Sequence, residues 1–245
     1  MAMALPAPGI RGRSGGRGAE LHRSPNHGPR RGGLRPDLIL IHYTAMDEAG
    51  ALARLCDPVH EVSAHWFVAR DGRTLALVDE ARRAWHAGAS YWAGERDVNS
   101  RSIGIELCND GASDFPEAQM AALEMLIDGV RGRWAIPAAR VLGHSDVAPG
   151  RKADPGPRFD WGRLAAAGRA VLPSGGAAAA PDMAAFRAAL ARIGYDPDAP
   201  DDVLLAAFRL RVAPGRSGPL APGDMGDALE MVARWPGIDG GTACG

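Results

Sequence analysis

Cysteine is scarce in this 245-residue chain, and its placement is uninformative: Cys56, Cys108 and Cys244 are odd in number and form no Cys-x-x-Cys pair. That pattern argues against both a disulfide framework and a thiolate zinc finger. Aromatic residues make up only 6%, so the 46% hydrophobic content must build a core mainly from Ala, Leu, Val and Ile. No stretch approaches the roughly 18 consecutive apolar residues of a membrane helix. A formal net charge of -1 gives no electrostatic reason to expect nucleic acid as a partner. A secretory signal is also missing: Met1–Ile10 is short, contains Pro6 and Pro8, and precedes the arginines instead of following them. The expectation is a soluble, cytoplasmic protein, with a periplasmic or wall-associated one as the alternative if export is non-classical or the start is misassigned. Lysine is the last scarcity. Of 28 basic residues only Lys152 is a lysine, and an ammonium is a compact point charge where a guanidinium is a planar fork.

What is present divides the chain into segments. Residues 1–35 carry seven arginines (Arg11, Arg13, Arg17, Arg23, Arg30, Arg31, Arg35) against one acid, Glu20. Residues 1–23 therefore read as a basic, Gly-rich, disordered leader. Leu38-Ile39-Leu40-Ile41 reads as a fully buried strand that ends at His42-Tyr43-Thr44. Residues 47–56 have helical spacing, and Asp71-Gly72 between two apolar runs signals a hairpin. After a polar loop over residues 82–101, Ile103–Leu107 is a further strand. Pro116–Trp134 is the clearest helix, with Asp114 and Glu117 at capping-box spacing and an apolar stripe of Leu123, Leu126, Ile127, Val130 and Trp134. Val141-Leu142-Gly143-His144 is a last short strand. The resulting fold class is α/β: a mixed central sheet flanked by helices, followed by a small all-α bundle. Residues 173–181 form a Gly/Ala/Pro linker, and residues 182–245 hold the bundle and tail.

His42 and His144 both stand at the carboxyl ends of strands, where side chains of α/β sheets project into a crevice. Asp154 follows His144 by ten residues. Two imidazoles and a carboxylate suit Zn²⁺, which keeps a fourth position for water at catalytic sites. Taken alone the set is a weak signal, because buried core histidines are the commoner explanation and Asp154 before Pro155-Gly156 also suits a turn.

Five segments in order change that weighting: Ile41-His42-Tyr43-Thr44-Ala45, Val62-Ser63-Ala64-His65, Ala84-Trp85-His86-Ala87-Gly88, Ser102-Ile103-Gly104-Ile105-Glu106, and Gly143-His144-Ser145-Asp146-Val147-Ala148-Pro149-Gly150-Arg151-Lys152. Over residues 24–172 the chain resembles the zinc-dependent N-acetylmuramoyl-L-alanine amidase family, whose fold is shared with peptidoglycan-recognition proteins and phage amidase lysozymes. The resemblance implies one Zn²⁺ held by His42, His144 and Asp154. It implies Glu106 as the carboxylate acting on water and Lys152 as a charge stabiliser beside the metal. Trp85, His86 and Asn26 become candidate substrate contacts on a peptidoglycan or muropeptide partner, with Asn26 and Asn99 also at positions that hold loops. His65 reads as structural or as cleft wall, and Cys108 as an apolar core residue. The implied activity is hydrolysis of the amide between the muramoyl lactyl group and L-alanine. A non-catalytic muropeptide-binding protein of the same fold is the alternative; a zinc peptidase is disfavoured by the lack of His-Glu-x-x-His.

The tail resembles a peptidoglycan-binding helical module through Phe186, Leu190, Ile193-Gly194-Tyr195, Ala207-Phe208 and Asp224. It departs from that pattern at Arg209, where a Gln is usual. A spacer or a stability cap is the other reading of this segment.

Overall fold

A computed structural model describes residues 20–237 of the chain. In chain order its strands are β1 (Glu20–Leu21), β2 (His27–Gly28), β3 (Leu38–Tyr43), β4 (Trp66–Val68), β5 (Thr74–Ala76), β6 (Arg83–Ala84), β7 (Ser102–Leu107) and β8 (Val141–Gly143). Its helices are α1 (Glu48–Cys56), α2 (Val98–Arg101), α3 (Glu117–Trp134), α4 (His144–Val147), α5 (Trp161–Ala166), α6 (Met183–Ile193), α7 (Asp201–Val212) and α8 (Pro222–Arg234).

The unbroken apolar run of β3 dictates a strand covered on both faces, and the sheet order β1-β5-β4-β7-β3-β8 places it between β7 and β8, parallel to both. Successive side chains of a strand point to opposite faces. Leu38 and Leu40 accordingly enter one core with the C-terminal helices, whereas Ile39 and Ile41 enter a second core with α3. Both cores exclude water from the strand, and each fully buried Leu or Ile contributes ~1.5–3 kcal/mol relative to exposure. Only β5 runs antiparallel to its inner neighbour, β4, across the expected hairpin. Gly72 turns that hairpin at φ +86, with an Asp71 carboxylate accepting from Arg73 N at 3.0 Å.

Helix α3 covers the outer face through Met120, Leu123, Ile127 and Val130. Its start differs from the sequence expectation. Pro116 is the N-cap itself and makes no side-chain cap bond. Asp114 lies two residues further out, too far back to reach the first free amides, and pairs with Arg158 instead. The loop over residues 82–101 is held by the β2–β6 pairing, by α2, and by Asn99, whose Oδ1 accepts the N–H groups of His86 and Ala87 at 3.0 and 2.8 Å.

Residues 20–23, read from sequence with the leader, are instead drawn onto the sheet. Glu20–Leu21 pairs with β5, and His22 N donates to Ala76 O at 3.0 Å. Edge pairing is a main-chain interaction, so a basic, Gly-rich composition does not forbid it. Residues 1–19 of the expected leader lie outside the described residues.

The C-terminal helices share their core with the sheet. Phe186, Leu190, Phe208 and Met231 pack in one cluster with Leu38, Leu40, Leu142 and Val147. Segment 173–181 lies against α8, where Glu230 accepts from Ser174 N at 2.9 Å. Arg209 is buried and ion-paired with Asp224 while donating to the carbonyls of Gly218 and Pro219, so it braces the α7–α8 connection. Among the described residues no helix is long and apolar enough to cross a membrane.

Candidate metal centre

Strand register brings the site together. Ile41 of β3 pairs with Gly143 of β8, so His42 and His144 are the next residues along two adjacent parallel strands. His42 itself is in register with Glu106 of β7, which puts both side chains on the same face of neighbouring strands. Asp154 arrives from the loop after α4, pinned where Ser145 N donates to Asp154 O at 3.0 Å. The separation from His42 Nδ1 to His144 Nδ1 is 2.9 Å, from His42 Nδ1 to Asp154 Oδ2 3.0 Å, and from His144 Nδ1 to Asp154 Oδ2 3.1 Å. All three residues are buried.

This donor set fits a divalent cation. Tetrahedral Zn–N and Zn–O bonds of ~2.0–2.1 Å put ligand atoms ~3.3 Å apart, and the observed triangle is only a few tenths of an ångström tighter. Burial, reinforced by His144, pushes the His42 imidazole down to about 4, so at neutral pH it is uncharged and its lone pair is free. Burial opposes ionisation of Asp154, yet the adjoining His144 and His42 side chains hold it well below the usual carboxylate range. His144 Nε2 lies 3.0 Å from the carbonyl of Ala87, which can only accept. A ring proton on Nε2 directed at that carbonyl would leave Nδ1 for a metal, and Arg151 Nη2, 3.2 Å from the same nitrogen, is the competing neighbour.

Beside the triangle opens a cavity of about 430 Å³, with Trp85, Glu106 and Lys152 in its lining. Glu106 Oε2 is enclosed and has no hydrogen-bond partner. Burial, followed by repulsion from Asp154, pushes its carboxyl up to about 8, against the pull of Lys152. A carboxyl poised there exchanges protons near neutral pH. Lys152 is exposed and makes no ion pair among the described residues, leaving its ammonium available to the cavity.

Other sequence candidates are placed differently. Asn26 does not line the cavity: its amide nitrogen donates to Asp57 O and Val62 O at 2.9 and 2.8 Å, so the residue is committed to holding a loop and not to a substrate. His86 is buried yet lines the cavity beside Trp85, and its Nδ1 lies 3.1 Å from His42 Nε2. His65 is structural, accepting Gly104 N–H on Nδ1 at 2.9 Å. Burial and nearby Arg30 push it down to about 3, so it too is neutral. Cys108 sits in an apolar cluster with Phe67 and Leu75. Among the cavity residues that received no role from the sequence, Tyr43 follows His42 directly, and Arg151 donates to Ala87 O and Ala89 O. Both stand inside quoted motifs next to a candidate, and adjacency was the only signal available for either.

Comparison with known proteins supplies an independent line. A family model described as N-acetylmuramoyl-L-alanine amidase matches residues 32–157, which contain all three triangle residues, Glu106 and Lys152. N-acetylmuramoyl-L-alanine amidase AmiD of Escherichia coli is 38% identical over 188 residues, spanning 66% of this chain and 67% of that protein. A 1,6-anhydro-N-acetylmuramyl-L-alanine amidase, AmpD of Enterobacter cloacae, is 34% identical over 159 residues, or 58% of this chain and 85% of its own. Among solved structures, the complex of E. coli AmiD with anhydro-N-acetylmuramic acid-L-Ala-D-gamma-Glu-L-Lys superposes with a TM-score of 0.77 at 32% identity, covering 85% of this chain and 93% of the other.

Proposed function

This chain belongs to the N-acetylmuramoyl-L-alanine amidase family and hydrolyses the amide between the muramoyl lactyl group and L-alanine; we propose that it does so with one zinc ion held by His42, His144 and Asp154. The observation that carries the proposal is the three-atom triangle lying beside half-buried Glu106, whose Oε2 is enclosed and without a hydrogen-bond partner, at the edge of one cavity. When bound, zinc supplies a Lewis acid and lowers the pKa of water towards ~7. Everything else falls to the chain. The Glu106 carboxylate takes a proton from the attacking water and returns it to the departing nitrogen, which must leave as a neutral amine. As the carbonyl becomes tetrahedral its oxygen gains negative charge, which the Lys152 ammonium offsets. Trp85, half-buried on the cavity wall, offers an aromatic face to the substrate. A muropeptide in this cleft is supported by the anhydromuramoyl tripeptide bound to E. coli AmiD.

A binding protein that does not cut has no use for a carboxyl pushed up to about 8 beside three converging ligand atoms, so catalysis is the better reading. Mass spectrometry of products from purified anhydro and reduced muropeptides, run side by side, tests it. Release of the intact stem peptide, abolished by a chelator and restored by Zn²⁺, is the expected result. Undigested muropeptides in the presence of stoichiometric zinc would refute the assignment.

A further inference from the structure

A histidine can present either ring nitrogen to a metal, and the choice is fixed by the hydrogen bond made at the other nitrogen. Beside His144 Nε2 stand both an acceptor, Ala87 O at 3.0 Å, and a donor, Arg151 Nη2 at 3.2 Å. For His42 the partner is another imidazole, which by itself settles nothing, because His86 could donate or accept. The direction is decided further out. His86 Nε2 is 3.3 Å from Ser102 Oγ, and Ser102 Oγ is 2.6 Å from Val98 O. That carbonyl can only accept, so the hydroxyl proton of Ser102 is spent on it and the oxygen faces His86 as an acceptor. His86 then carries its proton on Nε2 and accepts on Nδ1. His42 must donate from Nε2, and the lone pair of His42 Nδ1 is left facing His144 and Asp154.

We infer that His86 is a positioning residue that holds the His42 ring in its metal-binding tautomer, through a one-way chain of hydrogen bonds running from His42 to the carbonyl of Val98. The surroundings of His86 are built for this. Its backbone N–H is anchored on Asn99 Oδ1 at 3.0 Å, and the ring of His65 stands edge-on to it at 5.6 Å. Opposite lies Gly104, where an added Cβ would fall 2.5 Å from His86 Cγ and 2.6 Å from Nδ1. Strand β7 therefore shows bare backbone at the one point where the imidazole rests. Ser102, Gly104 and Glu106 alternate along β7 and so share a face. The first fixes the direction of the chain, the second makes room for its middle member, and the third lines the cavity.

The inference rests on the proposed zinc site, and its test keeps the two apart. Zinc affinity is measured by competition with a chromophoric chelator for wild type, His86→Phe, His86→Gln and Gly104→Ala, together with KM, kcat and the low-field imidazole N–H protons of the zinc-loaded protein. His86→Phe should bind zinc 10–100-fold more weakly, with KM near the wild-type value and the His42 Nε2 proton signal lost. Gly104→Ala, which displaces the ring, should move affinity in the same direction. His86→Gln, whose carbonyl oxygen can still accept, should recover part of the affinity. Unchanged zinc affinity in His86→Phe with a raised KM would make His86 a substrate contact and overturn the inference alone. Wild-type protein with no zinc affinity would remove the metal reading and this inference with it.

Discussion

The carboxyl of Glu106 is buried because β7 ends inside the sheet, and its proton affinity follows from that placement. Replacement by Gln keeps size and hydrogen-bonding shape but removes proton exchange. Glu106→Gln should retain zinc by elemental analysis while losing on the order of 10²–10⁴-fold in kcat. A variant turning over at close to the wild-type rate would take Glu106 out of the chemistry. Asp154→Ala should behave differently, losing both zinc and activity, since it removes one of three ligand atoms. Full zinc occupancy in that variant would mean the third ligand is another group. The buried histidines predict a pH effect on the metal-free protein. His42 is held near 4 and His65 near 3, both below the unfolded value of ~6.5. Between about pH 6.5 and 4 the unfolded chain binds protons that the folded chain refuses, so stability falls as pH falls, by about 1.4 kcal/mol per pH unit for each such proton. Urea denaturation at pH 7 and pH 5 measures it.

At the scale of elements, the parallel strands β7, β3 and β8 open their carboxyl ends on one side, and His42, Glu106 and His144 lie on them or directly after them. The β4–β5 hairpin sets the other edge, and its turn is tightly constrained. Gly72 has φ +86, and an added Cβ would come 2.7 Å from Ala118 O of α3. Backbone cannot step aside as a flexible side chain does. Gly72→Ala should therefore destabilise the fold by about 1–3 kcal/mol, read as a lower urea midpoint, with zinc affinity unchanged because β7 separates the hairpin from β3 and β8. Most elements were legible in the sequence because period and turn chemistry are local: the four-residue apolar run, the Asp-Gly turn and the helical stripe each describe themselves. The start of α3 was misread. Capping-box spacing tests only the distance between two side chains, whereas the cap is decided by which residue leaves the helix, and that is Pro116.

The whole molecule is bound together by a buried polar link. Arg211 of α7 reaches into the sheet domain, donating to Asp146 Oδ2 at 3.0 Å and to the carbonyls of Val141 and Val171, while stacking 4.4 Å from the Trp161 ring. Tyr195 donates to the other oxygen of Asp146 at 2.5 Å. Asp146 also accepts from Gly143 N, immediately before His144, so the C-terminal helices grip the turn that carries a proposed metal ligand. Arg211→Leu should cost about 3–5 kcal/mol by stranding the Asp146 charge in the interior, seen as a fall in the thermal midpoint. A loss below about 1 kcal/mol would show that the helices are only loosely docked. This shared core also explains how a bundle too small to be robust alone persists here.

The sequence by itself determined which side chains could do the chemistry, since residue type and motif order are properties of the chain: His42, Glu106, His144 and Lys152 stand in ordered motifs, and Asp154 follows His144 by ten residues. It also determined the class of fold, because an apolar run beside helical stripes leaves few ways to exclude water. Only the tertiary structure showed what Asn26 and His86, both read as substrate contacts, touch: Asn26 holds a loop through Asp57 O and Val62 O, while His86 lines the cavity with its Nδ1 against His42 Nε2. Only the tertiary structure, too, joined Arg211 to Asp146 across 65 residues. The physical reason is common to these cases. A side chain's role depends on what faces it, and its facing neighbours come from strand register and helix docking, which bring together residues that no local pattern relates.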